Sequence, residues 1–160
     1  MSADKQRIGF SVNGEARELW VFPYESLLEV LRDAGYHEVR YGCGEGVCGT
    51  CTVLLDGVPA SACLLFAVQV DGCSLLTVRG LAAGGDGEPH ALQASFLRHG
   101  AAQCGFCTPG MLLTAWALLQ REPQPSRERI RRELCGNLCR CTGYSKILDA
   151  IEDCRGHSDE

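Results

Sequence analysis

Apolar and polar residues alternate loosely from Ile8 to Val12, pause at Asn13-Gly14, and resume an extended pattern from Glu15 to Phe22, up to Pro23. Asn-Gly suits a two-residue hairpin turn, so the chain is predicted to open with a β-hairpin. Ser26 then stands as an N-cap before Leu27, Leu28, Val30 and Leu31, whose spacing makes one apolar helix face, and Gly35 is placed to end that helix. Beyond a glycine-rich loop, Thr52 to Leu55 reads as a strand, Asp56-Gly57 as a turn, and Val58 to Ala62 and Leu75 to Val78 as further strands. Residues 1–79 are therefore expected to form a small mixed α+β unit.

The period then changes. Residues 80–88, GLAAGGDGE, read as a flexible linker; after them Leu92 to His99, Pro109 to Arg121, Arg127 to Leu134 and Ser145 to Cys154 carry helical spacing, separated by glycine or proline. Residues 89–160 are expected to be a small helical bundle. Thr108-Pro109 supplies an N-cap and N1 pair for its longest helix, which puts Cys104 and Cys107 in the turn that enters it. No internal repeat, low-complexity tract or coiled-coil heptad interrupts this division, and the two halves do not resemble each other.

Composition narrows the function. With 46 % hydrophobic residues, 160 positions suffice for a real core in one ordinary domain or two small ones. A formal net charge of −5 argues against sequence-independent nucleic-acid binding. The one basic run, RERIRREL from Arg127 to Leu134, reads as the solvated face of a helix, with a docking surface for an acidic partner as the alternative. The opening MSADKQRIGF has no apolar signal region, and no later stretch approaches the roughly 18–20 apolar residues of a membrane span, so a cytoplasmic protein is expected.

Eleven cysteines are a large excess, and without a secretory signal they point to metal or redox chemistry before disulfides. Cys43, Cys48 and Cys51 stand in YGCGEGVCGTC, and Cys63 follows. This C-x4-C-x2-C arrangement is the plant-type ferredoxin spacing for a [2Fe-2S] cluster, which needs two thiolates per iron and backbone N–H groups near its sulfides; the glycines let the loop fold that closely. A structural zinc site would more often gather paired C-x2-C hooks. The same loop contains Gly44-x-Gly46-x-x-Gly49 with Asp71 downstream, the outline of a dinucleotide fingerprint. That fingerprint must follow a strand and open a helix, whereas this one is threaded with cysteines and runs into the strand-like TVLLDG.

Cys104 and Cys107 form CGFC, and Cys139 and Cys141 form CRC, with a helical hairpin's length of chain between the pairs. Spacing alone leaves three readings open: a second cluster, a zinc site, or a thioredoxin-like C-x-x-C pair. The last wants a βαβ context and leaves Cys139 and Cys141 without a purpose. Cys73, Cys135 and Cys154 remain over, with free thiols as their default and an alternative ligand role for Cys135 open. His37, His90, His99 and His157 are adjacent to no cysteine, so a Rieske-type site is unsupported.

GCGEGVCGTCTVLLDG, QCGFCTPG and GNLCRCTGY, in this order, resemble the iron-sulfur subunit of the molybdenum hydroxylases, the xanthine dehydrogenase and aldehyde oxidoreductase group, over about Arg7 to Cys154. The resemblance implies a β-grasp ferredoxin-like domain followed by a four-helix bundle, each with one [2Fe-2S] cluster. By it Cys43, Cys48, Cys51 and Cys63 hold the cluster nearer a flavin, and Cys104, Cys107, Cys139 and Cys141 the cluster nearer the molybdenum cofactor. Gln103 matches a glutamine that lies against the pyranopterin in the family; a helix-entry hydrogen bond is its plainer role. Asn137, Thr142, Gly143 and Tyr144 match the motif too, and they are read as shaping the loop around the cluster. Arg40, Thr50 and Cys135 depart from the residues usual in the family, and none of these departures removes a ligand.

A chain with only iron-sulfur centres passes single electrons and hydroxylates nothing itself. The resemblance implies a large molybdenum subunit and an FAD subunit as separate polypeptides, since this chain stops near Glu160, in a heterotrimer or its dimer. The substrate is expected on the large subunit, with a lean toward xanthine or another purine and with aldehydes, N-heterocycles and carbon monoxide left open. A free two-cluster ferredoxin is the alternative.

Overall fold

A computed structural model describes residues 4–82 and 88–155. Its five-stranded mixed sheet has the order β2-β1-β5-β3-β4. The opening hairpin pairs β1 (Gln6–Val12) with β2 (Glu15–Val21) antiparallel, around Asn13 and Gly14 at φ 54° and 83°. The second hairpin pairs β3 (Thr52–Leu55) with β4 (Val58–Ser61) around Asp56 and Gly57, again both at positive φ. The two hairpins are joined by β5 (Ser74–Leu76), which runs parallel to β1 and antiparallel to β3.

Helix α1 (Leu27–Asp33) begins as its sequence dictates. The Ser26 hydroxyl accepts from the Glu29 N–H at 3.2 Å, and the Glu29 carboxylate accepts from the Ser26 N–H at 3.1 Å. Its buried face of Leu27, Leu28, Val30 and Leu31 shares a core with Ile8, Phe10, Val12, Val53 and Leu75 of the sheet. The remaining helices are α2 (Val78–Leu81), α3 (Ala91–Arg98), α4 (Thr108–Arg121), α5 (Arg127–Glu133) and α6 (Ser145–Asp153). They enclose a second core built on Leu92, Phe96, Met111, Leu118, Ile130 and Ile151.

The two cores meet through one strand. Successive side chains of a strand point to opposite faces, and in β3 Val53 enters the first core while Leu54 enters the second. Helix α4 packs on β3, so the sheet is covered by α1 on one face and by α4 on the other.

Three boundaries differ from the sequence reading in ways that change the packing, beyond shifts of one or two residues at other element ends. The strand expected over Leu75 to Val78 ends at Leu76, because Val78 opens α2. The segment expected to begin a linker at Gly80 is still helical there, and Leu81 is buried in the second core; residues 83–87 lie outside the described residues. Gly80 rests against the first hairpin, where a Cβ would run into the Asn13 amide, and Thr77 beside it bonds both Asn13 and Glu38. Finally, Cys107 and not Thr108 is the N-cap of α4, which moves Pro109 to the second helical position.

Replacing Leu54 by alanine removes the side chain by which the sheet enters the helical core. It should cost about 2–5 kcal/mol, the usual range for a fully buried leucine, read as a lowered thermal midpoint in circular dichroism, with the α1 side of the sheet unaltered.

Candidate metal centres

Three cysteines of the first set, Cys43, Cys48 and Cys51, hang on the loop between α1 and β3. Gly44, Gly46 and Gly49 all take positive φ there, a curl that aims consecutive backbone N–H groups inward. The Glu45 N–H lies 3.3 Å from the Cys43 sulfur. That bond first, then the Cys48 thiol and the N–H groups of Cys48 and Val47, pulls the Cys43 thiol down to about 6. Cys48 lies 2.7 Å from the Thr50 hydroxyl, and a Cβ on Gly42 would collide with both. Cys51 is 2 % exposed, and burial pushes its thiol up to about 11; Cys63, in the turn after β4, meets it sulfur to sulfur. The set therefore stands as two pairs, Cys43 with Cys48 and Cys51 with Cys63.

The second set is made by two loops brought together by α4, α5 and α6. Cys104 and Cys107 enter α4, while Cys139 and Cys141 follow the 3₁₀ turn Leu134–Gly136 and precede α6. The sulfurs of Cys104 and Cys141 are 3.6 Å apart on the exposed side, and Cys107 meets Cys139 on the inner side. The Phe106 N–H, then the Cys141 thiol, lowers the Cys104 thiol, whereas burial pushes Cys107 up to about 12. Burial also opposes ionisation of Cys139, yet the Thr142 hydroxyl, 3.1 Å from its sulfur, and the N–H groups of Thr142 and Cys141 hold it below the ordinary thiol value.

Tyr144 ties this second loop. At φ 69° it is one of three non-glycine residues with positive φ among those described, and its hydroxyl accepts from the Cys139 N–H at 2.8 Å and donates to the Asn137 carbonyl at 3.1 Å. Gln103 lies exposed beside Cys104, on the side where Cys104 and Cys141 face solvent.

The other candidates fall elsewhere. The thiols of Cys73, Cys135 and Cys154 turn to the carbonyls of Asp71, Arg131 and Ala91. Asp71 accepts from the Gly9 N–H at 2.7 Å, a bond internal to the first unit, and the glycine pattern of the first loop runs into β3 and not into a helix. His90 caps α3 and His99 lies 3.4 Å from Asp153; His157 is outside the described residues. In the basic run, Arg127 pairs with Asp149 and Glu152, Arg129 with Glu122 and Glu133, and Arg132 with Glu128, all within the chain.

The donor set suits a metal-sulfur group wider than one ion. Among the described residues no three His, Cys, Asp or Glu side chains converge as ligands of one ion do, and a zinc site needs four sulfurs about 2.3 Å from one centre. A [2Fe-2S] cluster instead takes two thiolates at each of two irons, with N–H groups aimed at sulfur. Two pairs per set and the Glu45 and Phe106 N–H groups fit that demand.

Residues 10–71 match the 2Fe-2S iron-sulfur cluster binding domain family, and residues 77–152 match the [2Fe-2S] binding domain family. The chain is 48 % identical to the nicotinate dehydrogenase small FeS subunit of Eubacterium barkeri, over 92 % of this chain and 94 % of that one. It is 42 % identical to the xanthine dehydrogenase iron-sulfur-binding subunit of Escherichia coli O157:H7, over 90 % and 91 %. Among solved structures, quinoline 2-oxidoreductase from Pseudomonas putida 86 has a chain of 49 % identity that superposes with a TM-score of 0.90, covering 94 % of this chain and 93 % of its own.

Tyr144→Phe leaves the ring in place but strands the Cys139 N–H and the Asn137 carbonyl. A loss of roughly 1–3 kcal/mol is expected from two partly buried groups without a partner, measured by thermal denaturation beside the parent chain.

Proposed function

The chain belongs to the iron-sulfur small subunits of the molybdenum hydroxylases, and we propose that it passes electrons singly from a molybdenum-pyranopterin cofactor on a large partner, through two [2Fe-2S] clusters, to FAD on another partner. The observation that carries the reading is the gathering of eight cysteines into two sets of two pairs. We assign Cys43, Cys48, Cys51 and Cys63 to one cluster and Cys104, Cys107, Cys139 and Cys141 to the other, each pair at one iron.

A [2Fe-2S] cluster supplies the one-electron carrier that side chains lack. The chain's own residues do the rest. Backbone N–H groups of Glu45 and Phe106 favour thiolate on the outer sulfurs, while burial of Cys51 and Cys107 keeps water from the inner ones. We assign to Gln103, exposed next to Cys104, the contact with the pyranopterin on the large partner. We take residues 1–79 as the ferredoxin-like domain, with its β-grasp, 80–88 as the connection, and 89–160 as the second domain, with α3 to α6 as its four-helix bundle.

Large apolar side chains left in water beside both loops support a permanent subunit over a free carrier. Val47, Leu64 and Phe66 by the first set, and Phe106 and Leu138 by the second, are each about half exposed or more. A heterotrimer, or its dimer, would cover them. No helix among the described residues is long and apolar enough to cross a membrane, and we place the complex in the cytoplasm. The three relatives compared above carry the names of N-heteroaromatic compounds, which supports a substrate of that class, xanthine and other purines included.

Purification through a tag on this chain, followed by iron and acid-labile sulfide analysis and EPR of the reduced protein, tests the reading. About four irons and four sulfides per chain and two distinct signals are expected, two irons per cluster, with large chains carrying molybdenum and flavin in the same fraction. Cys43→Ser should remove one signal and Cys104→Ser the other. Zinc without sulfide would overturn the assignment; two clusters on a monomer without partners would establish the free carrier.

A further inference from the structure

The two cysteine loops are in backbone contact. The Gly49 carbonyl, between Cys48 and Cys51, accepts from the Thr52 hydroxyl at 2.7 Å and, across the domains, from the Asn137 side-chain amide at 3.1 Å. One residue to either side, the Leu138 N–H donates to the Cys48 carbonyl at 2.9 Å. Leu138 directly precedes Cys139, so a ligand-bearing segment of one set is hydrogen-bonded to that of the other. Helix α4 closes the contact from a third side: a Cβ on Gly110 would penetrate the Gly49 carbonyl oxygen, and a Cβ on Gly49 would penetrate the Gly136 carbonyl.

Asn137 is the side chain at the centre. It is 4 % exposed, its amide reaches loop one, and its own carbonyl accepts from Tyr144, whose hydroxyl also takes the Cys139 N–H. Asn137 thus reaches Gly49, between Cys48 and Cys51, through its side-chain amide, and Cys139 by way of Tyr144 through its main-chain carbonyl.

Resting on the two-cluster reading above, we propose that Asn137 is a positioning residue shared by both clusters, so that each iron site is ordered, and loaded, only as well as the other loop allows. Both sites are partners of one latch. Residues outside the ligand shell that hold ligands in place change metal affinity by roughly ten- to a hundredfold when lost. Here a change in the second domain must be felt by the cluster of the first.

The test uses the chain purified with its partners. Asn137→Asp keeps the side chain's shape but replaces the donor with a carboxylate facing the Gly49 carbonyl. Gly110→Ala adds one methyl in α4, well suited to a helix, against the same oxygen. Each is expected to lower the iron bound per chain under limiting iron by roughly tenfold relative to the parent, and to broaden and shift the EPR signal assigned by Cys43→Ser to the first cluster, with helical circular dichroism unchanged. Asn137→Ser, which restores a shorter donor, should recover part of the parent line shape. A first-cluster signal identical to the parent's in the aspartate or alanine variant, with change confined to the second cluster, overturns the proposal. If neither variant accumulates as folded chain, Asn137→Ser, which adds no bulk, decides alone: a first-cluster signal identical to the parent's there overturns the proposal. Absence of iron and sulfide from the parent chain would overturn the two-cluster reading itself, which keeps the two failures apart.

Discussion

Where Gly49, Gly110 and Gly136 meet, main chain lies on main chain with no side chain between. Gly49 and Gly110 have no room there for a Cβ, which would run into the Gly136 and Gly49 carbonyls respectively, and Gly49 adds the further demand of φ 67°. The approach sets the spacing of the two domains, because the loop that bears Cys48 and Cys51 must thread between the start of α4 and the turn before Cys139. It also explains why a buried asparagine sits there. A carbonyl pressed between backbones and cut off from water needs donors, and the Thr52 hydroxyl and the Asn137 amide supply them.

The same geometry makes the sheet a shared wall. Leu54 belongs to the helical core although it is a strand residue of the first domain, and Val53 beside it belongs to the other core. A single strand thus feeds two cores by the ordinary alternation of its side chains. The polar contacts of Asn13, Thr77 and Glu38 fasten the far end, where α2 leaves the sheet. The domains are fixed at both ends of their contact and along its middle, as a path between two redox centres requires.

What could be read from the sequence was local. Both hairpins carried Asn-Gly or Asp-Gly, the Ser26 cap carried its Glu29 partner, and the cysteine spacings carried their chemistry, because each is a relation between residues a few positions apart. The parallel pairing of β5 with β1 has no such signature: only three residues long, it is chosen by burial of Leu75 in a core assembled from distant segments. Helix α2 falls where the sequence predicts the end of a strand and the start of a linker, since Val78 to Leu81 is too short to show a period and contains a glycine that serves the Asn13 contact. The motif predicts for Asn137 a part in shaping the second loop; its bond to Gly49, 88 positions away, is invisible to spacing.

The pairs within each set are not equivalent, and the difference has a direction. In the second set Cys107 and Cys139 are partly covered by α4 and Tyr144, while Cys104 and Cys141 face water beside Gln103. In the first, Cys51 is sealed in the core and Cys43 stands toward the rim with Val47 and Leu64. Reduction adds negative charge, and a low-dielectric, water-free surrounding raises the cost of that charge unless N–H groups face it. A partner that covers either exposed edge therefore changes the electrostatic setting of the nearer centre more than that of the farther one. The fold leaves its outer sulfurs uncovered and its inner ones braced against each other, so docking can adjust each end of the path while the crossing between the loops stays fixed.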